Sequence, residues 1–153
     1  IYSYILMVDN FEIRSPASKK EWETYDSFRW EVLRKPLKMS HIPLKDNLEG
    51  VSIHLMGVTS EGKVLACGRL HLNTSEEAQI RYMGVSEDLR RSGIGSKMIK
   101  KLEEEAINQG ANQIMLNARE NAVAFYKSLG YFEVGPYESD IQIPHTRMEK
   151  KIS

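Results

Sequence analysis

The fold is decided by one stretch of the chain, Val85-Ser-Glu-Asp-Leu-Arg90-Arg91-Ser92-Gly93-Ile94-Gly95-Ser96. It reads as the end of a strand, a glycine-containing loop and the start of a helix. Because glycine accepts backbone angles that a Cβ forbids, such a loop can turn its N–H groups toward an anion. The helix that follows adds unsatisfied N–H groups and the positive end of its dipole. The stretch therefore predicts a site for a ligand that carries a diphosphate.

The size and charge of the chain restrict its class. The chain has 153 residues, of which 41% are hydrophobic and 27% are charged, as in a globular protein. This length suits one domain over residues 1–153. Twenty-one basic residues balance twenty-one acidic ones. A net charge of zero gives no general attraction to nucleic acid or to an anionic membrane, so neither is expected as a partner.

Cysteine usage and the apolar segments indicate a compartment. The single cysteine, Cys67, cannot form an internal disulfide and fits a reducing cytoplasm. It lies in an apolar strand pattern, which favours a buried small side chain over a nucleophile. No apolar run has the length of a membrane span, and the opening residues lack the features of a signal peptide. We therefore expect a cytoplasmic location.

Hydrophobic periodicity predicts the element order β-α-β-β-β-α-β-α-β-β. The fold class is α/β with mixed character: a central, mixed, mostly antiparallel sheet of six to seven strands, flanked by three to four helices. The predicted strands are Phe11–Arg14, 51–59, 64–72, 79–85, 113–117, 131–137 and 143–150. The predicted helices run from a capping box at Ser18 to about Leu33, from Ser96 to Gln109, and from an Asn121 cap to Gly130.

Two other diphosphate-binding loops are excluded by spacing. A nucleoside-triphosphate loop needs four residues between its glycines, and only Ile94 separates Gly93 from Gly95. A dinucleotide fingerprint needs a third glycine, and Met98 stands at that position.

The remaining pattern is Arg/Gln-x-x-Gly-x-Gly/Ala, which Arg90, Gly93 and Gly95 match in full. Downstream, the segment 122–131 reads Ala-Val-Ala-Phe-Tyr-Lys-Ser-Leu-Gly-Tyr and is similar to Ala-x-x-Phe-Tyr-x-x-Leu-Gly-Phe/Tyr. Together these motifs resemble the two signatures of the GCN5-related N-acetyltransferase (GNAT) family. Uncharacterised prokaryotic members are especially similar, through the segments 81–85, 117–122 and 144–145. The resemblance covers about residues 51–150.

The resemblance implies acetyl-CoA as cosubstrate and an amine as acceptor. The loop N–H groups would hold the pyrophosphate, assisted by the Arg90 side chain, and the backbone of Met83 and Val85 would pair with the pantetheine arm. Asn117 and Asn121 would lie near the pantetheine or thiol end. The cofactor-binding residues implied are Met83, Val85, Arg90, Arg91, Ser92, Gly93, Ile94, Gly95, Ser96, Asn117 and Asn121.

The catalytic residues are assigned less completely. Tyr126 matches the family position of the general acid that protonates the leaving thiolate, and a phenol suits that task. The strand before the loop lacks the Glu that some members use as base. The candidates for the base are His54, His71, His145 and Glu120, with a water relay as an alternative. His54, Arg69 and His71 also fit a buried hydrogen-bonded network on the hairpin 51–72.

Other readings of function remain open. The alternative is a non-catalytic acyl-CoA-binding or sensing module of the same fold, and a pure interaction domain is a more distant one. The acceptor is a small-molecule or peptide amine, whose specificity would come from residues 22–48, including Arg29, Trp30 and Arg34, and from the C-terminal hairpin. Dimers are common in the family, so a homodimer is an expectation. The histidines and Cys67 lack ligand spacing, so no metal is expected.

Overall fold

Strands and helices follow one another along the described chain in the predicted order. The structure is a computed structural model that describes residues 10–38, 44–139 and 143–153. Its strands are β1 (Phe11–Arg14), β2 (Ile53–Thr59), β3 (Val64–Leu72), β4 (Glu77–Val85), β5 (Gln113–Arg119), β6 (Phe132–Tyr137) and β7 (His145–Lys151). Its α-helices are α1 (Lys19–Leu33), α2 (Ile94–Asn108) and α3 (Val123–Ser128).

The strands form one sheet of mixed direction, in the order β1-β2-β3-β4-β5-β7-β6. β4 and β5 are parallel, whereas β1 and β2, β5 and β7, and β6 and β7 are antiparallel. The predicted mixed sheet of six to seven strands is therefore confirmed. The register of β4 with β5 is short and covers the pairs from Glu77↔Gln113 to Gln79↔Met115.

Packing divides the chain into two compact units, each with its own apolar interior. The first unit takes the described residues up to Arg69 together with Tyr82–Leu102, and the second takes Leu70–Arg81 and Glu103–Ser153. The chain passes between them within β3, β4 and α2. The core of the first unit includes the buried residues Tyr25, Leu33, Met56, Val58, Val64 and Cys67. That of the second includes Ile114, Met115, Leu116, Tyr126, Tyr131 and Met148.

Helix α1 begins where the capping residues predict. The Glu21 N–H donates to Ser18 Oγ over 3.1 Å. The Glu21 carboxylate accepts from the Ala17 N–H, one residue before the expected partner, and from the Arg14 guanidinium through both of its oxygens. The hydrogen bond from Arg14 is the main reason that the pKa of Glu21 falls to about 2. Strand β1 and helix α1 are therefore joined at their adjoining ends.

Helix α2 also follows its sequence pattern. Met98, Ile99, Leu102 and Ala106 are buried, as predicted, and Gly110 ends the helix with a φ of +92°. The helix begins at Ile94, two residues before the predicted start. It is 15 residues long, and in the described residues no helix has the length and apolar character needed to cross a bilayer.

One local prediction is wrong. Asn121 does not cap α3: a 3-10 turn over Glu120–Ala122 comes first, and Ala122 is the capping residue, without a side-chain hydrogen bond. The face of the hairpin that carries His54, Arg69 and His71 is buried, which agrees with the expectation of a buried network. Buried arginine and histidine therefore require internal partners.

Candidate active site

The loop between β4 and α2 is held in a fixed shape. A 3-10 turn over Glu87–Leu89 follows β4, and the buried side chains of Leu89 and Ile94 anchor the two ends of the loop. Between them, Arg91 and Gly93 have φ angles of +67° and +92°. Such alternation of left-handed and right-handed residues turns successive N–H groups to one side.

The N–H groups of this loop are available to a ligand. Within residues 44–139 the structure records no acceptor for the N–H groups of Arg91, Gly93, Gly95 and Ser96, whereas Ser92 donates to Leu89. No atom lies within 4 Å of the position that a Cβ would take on Gly93, so the backbone is open to approach. The N-terminus of α2 adds positive potential, and the Arg90 and Arg91 side chains are exposed. These residues therefore fit an anion such as a diphosphate.

The strand that leads into the loop bends at Tyr82. Tyr82 has a φ of +53°, which is uncommon for an aromatic residue. Its carbonyl accepts from Cys67 Sγ at 3.3 Å. A Cβ on Gly84 would lie 2.7 Å from Val32 Cγ2, so the strand contacts α1 closely here. The pairing of β4 with β5 ends at Gln79, so it does not include Met83 or Val85.

Tyr126 lies in the second unit, on α3. Its ring contacts those of Phe125 and Tyr131 edge-on, with centroids 5.0 Å and 5.7 Å away. Burial raises the pKa of Tyr126 well above its ordinary value, so the phenol stays protonated at neutral pH. The structure records no hydrogen-bond partner for its hydroxyl within the described residues. The group is therefore a proton donor without an acceptor among the residues that the structure describes.

The other predicted residues of the second unit lie in different settings. Asn117 faces Arg147 across β5 and β7, and its buried Oδ1 has no hydrogen-bond partner in the described part of the chain. Asn121 is exposed in the 3-10 turn. His145 pairs with Arg119, and its Nδ1 lies 2.5 Å from the Ile143 carbonyl oxygen. His145 and Asn117 thus lie on paired strands, two register positions apart.

His54 lies in the first unit, within a buried network. Its Nε2 lies 2.9 Å from the Glu49 carbonyl oxygen and its Nδ1 lies 2.8 Å from the Tyr25 hydroxyl. Because a carbonyl only accepts, we assign the proton to Nε2, and Nδ1 then accepts from Tyr25. Burial lowers the pKa of His54, which favours this neutral form. Both ring nitrogens are therefore engaged.

The sequence predicted Arg69 beside His54, but it did not predict that Arg29, Asp46 and Glu49 join them. Arg29 and Arg69 are completely buried, and both donate to the Glu49 carboxylate. Arg69 also holds Asp46 through two hydrogen bonds of 2.9 and 2.8 Å. The remaining alternatives for a base and for acceptor specificity are placed as follows: His71 is buried on β3, Glu120 is exposed, Arg34 is buried and Trp30 is exposed.

The ionisation of Glu49 follows from this network. Burial alone would raise the pKa of its carboxyl, but the hydrogen bonds and charges of the two arginines outweigh burial and lower it. The only signal of this network in the sequence is the presence of arginines in apolar segments, which need buried carboxylates as partners.

In residues 10–38, 44–139 and 143–153, no group of three or more His, Cys, Asp or Glu side chains has an arrangement that could hold a metal.

Comparison with known proteins agrees with this geometry. The model of the acetyltransferase (GNAT) family matches residues 8–131. The uncharacterized N-acetyltransferase YjcF of Bacillus subtilis is 31% identical over 144 residues, which cover 90% of this chain and 99% of that protein.

Solved structures share the fold at lower identity. Escherichia coli ElaA superposes with a TM-score of 0.75 at 22% identity, over 92% of this chain and 98% of its own. An aminoglycoside 6'-N-acetyltransferase complexed with coenzyme A superposes with a TM-score of 0.73 at 17% identity, over 93% and 97% of the two chains. The family match and the relative from Bacillus extend well beyond the loop and include the strands and helices on either side of it. The chain therefore belongs to the GNAT family of acetyltransferases.

Proposed function

We propose that the protein transfers an acetyl group from acetyl-CoA to a primary amine. The observation that carries this proposal is the loop after β4, where Arg91 and Gly93 adopt left-handed angles at the N-terminus of α2. Its N–H groups, together with Arg90, suit the pyrophosphate of CoA. The structural neighbour described as complexed with coenzyme A supports the same cosubstrate.

The backbone of β4 supplies the second part of the proposed cofactor site. Met83 and Val85 lie beyond the register with β5, so their peptide groups can pair with the amides of pantetheine as a strand would. The buried Oδ1 of Asn117, which lacks an internal partner in the described residues, supports a role for this side chain in accepting a hydrogen bond from the ligand. The exposed Asn121 is proposed for the same end of the ligand.

The proposed chemistry is direct transfer. The amine nitrogen attacks the thioester carbonyl carbon, a C–N bond forms, the C–S bond breaks, and the acceptor nitrogen loses a proton. Tyr126 would donate its hydroxyl proton to the departing sulfur. Its raised pKa means that the hydroxyl is protonated at neutral pH, as a general acid must be.

The base that takes the amine proton is proposed among the histidines. His54 has both ring nitrogens engaged, which favours a role in the buried network, whereas among the described residues only Nδ1 of His145 is engaged. We therefore favour His145, with solvent as the alternative. A base of this kind would control the acid limb of the pH–rate profile of kcat/KM.

One assay tests the function and the acid together. Purified protein is incubated with acetyl-CoA and a panel of amines, from polyamines and amino sugars to peptides, while thiol release is recorded. We expect acceptor-dependent release, and we expect Tyr126→Phe to reduce kcat by about 10²- to 10⁴-fold with an almost unchanged KM for acetyl-CoA. Phe125→Leu, which alters the neighbouring ring but no hydroxyl, is the control.

Different outcomes separate the alternatives. Tight CoA binding without release on any amine would favour the sensing module, and an unchanged kcat in Tyr126→Phe would exclude that acid. In the same assay, loss of the acid limb of the profile in His145→Ala but not in His54→Ala would support His145 as the base. The reverse result would assign the base to His54.

A further inference from the structure

Tyr82 carries a backbone conformation that its side chain does not favour. A φ of +53° inside a strand is unusual for a bulky residue, and such strain persists only where the surroundings determine it strongly. Tyr82 directly precedes Met83–Val85, the backbone that we assign to pantetheine. The contacts that hold Tyr82 therefore influence the orientation of those peptide groups.

The ring and the carbonyl of Tyr82 are both held. The guanidinium carbon of Arg69 lies 4.7 Å from the ring centroid, and that of Arg34 lies 5.8 Å away. The carbonyl accepts from Cys67 Sγ at 3.3 Å. The quadrupole of the Tyr82 ring attracts both guanidinium groups. The closer of the two, that of Arg69, is completely buried.

Arg69 is itself fixed. Its Nη1 and Nη2 donate to the two carboxylate oxygens of Asp46. Nη1 also donates to the Glu49 carboxylate at 3.2 Å. Bidentate pairing fixes the plane of a guanidinium as well as its position. The segment that contains Asp46 and Glu49 is thereby connected to the ring of Tyr82 through one side chain.

We propose that Arg69 is a positioning residue for the cofactor-binding backbone. Held by Asp46, it braces the ring of Tyr82 and so keeps Met83 and Val85 in the orientation that binds CoA. The inference rests on the proposed function, because it concerns the same backbone, but it adds a residue that the loop and helix motifs do not contain.

Arg29 provides a matched control for Arg69. It is equally buried, it bonds Glu49 and Asp26, and its guanidinium lies 4.6 Å from the ring of Tyr25 rather than Tyr82. We expect Arg69→Lys and Arg29→Lys both to lower the melting temperature. Only Arg69→Lys should weaken CoA binding, by about tenfold in Kd measured by calorimetry. Equal Kd values for the two variants would overturn the proposal.

A second comparison tests the strain at Tyr82 itself. Glycine adopts positive φ without a penalty and alanine does not, and neither offers a ring to Arg69. We expect Tyr82→Gly to bind CoA within about threefold of the wild type, and Tyr82→Ala to lose about tenfold. When Arg69→Lys is combined with Tyr82→Gly, it should add at most about twofold, because the brace is no longer needed. Additive losses, or equal losses in Tyr82→Gly and Tyr82→Ala, would contradict the inference.

Two further measurements keep the outcome interpretable. If Arg69→Lys does not fold, Asp46→Asn loosens the same guanidinium from a partly exposed position and enters the comparison in its place. Wild-type protein that binds no CoA would contradict the proposed function. Wild-type protein that binds CoA, with variants that differ only in melting temperature, would contradict the positioning role alone.

Discussion

Gly93 and Gly62 share a backbone conformation in loops with different roles. Their φ angles are +92° and +88°, and no atom lies within 4 Å of a Cβ position on either one. Alanine at either site is strained by its backbone alone, and we expect each substitution to reduce the free energy of unfolding by about 1–2 kcal/mol in urea titrations. Only Gly93→Ala should also weaken CoA binding, because the N–H groups beside it change direction. An equal loss of affinity in Gly62→Ala would contradict the assignment of the loop.

Some residues of the candidate site can be recognised from the neighbouring sequence, and others depend on partners that are distant in the chain. Gly93 and Gly95 are recognised from spacing, and the left-handed angle at Gly93 agrees with that. Asp46 and Glu49 were not predicted, because their partner Arg69 lies 23 and 20 positions away and no periodicity connects them. The φ of Tyr82 was not predictable either, since propensity disfavours it and tertiary contacts impose it.

At the scale of the element, the cap of α1 offers a sharp test. Ser18 accepts the Glu21 N–H, and we expect Ser18→Ala to reduce the free energy of unfolding by about 1 kcal/mol. Ser27 is an exposed residue within the same helix, where alanine has the better helix propensity, so Ser27→Ala should be neutral or slightly stabilising. Chemical denaturation of both variants measures the difference. Equal changes in the two would show that Ser18 does not act as a cap.

Elements with strong local signals were predicted closely, and those shaped by their surroundings were not. The apolar stripe of α2 and the glycine that ends it are local, and the structure agrees with both. The start of α3 differs from the prediction, because a 3-10 turn forms over Glu120–Ala122 and the helix begins only after this turn. Asn121 has a side chain that suits a cap, but it lies inside the turn, one residue before the capping position.

At the scale of the whole molecule, the order of elements was sufficient to predict the mixed sheet. Alternation was less informative about burial, because residues of both parities in β2 and β3 are covered. Burying Arg29, Arg69 and His54 beside Glu49 is costly unless every charge finds a partner. The network provides these partners, and in doing so it makes stability depend on the protonation of one histidine.

That dependence has a definite sign. Burial lowers the pKa of His54 below its ordinary 6.5, so the folded state resists protonation while the unfolded chain accepts it. The stabilisation is complete above about pH 6.5 and is lost as the pH falls through the lower, folded pKa. Glu49 stays ionised across this window, because its pKa lies below 4.5.

We expect the wild-type melting temperature to fall between pH 7 and pH 5 and that of His54→Gln to fall less, since glutamine can accept from Tyr25 and donate to the Glu49 carbonyl without titrating. His145→Gln, which changes a histidine on β7 outside this network, is the control and should follow the wild type. If His54→Gln loses stability as steeply as the wild type over this range, the acid sensitivity does not originate in the buried network.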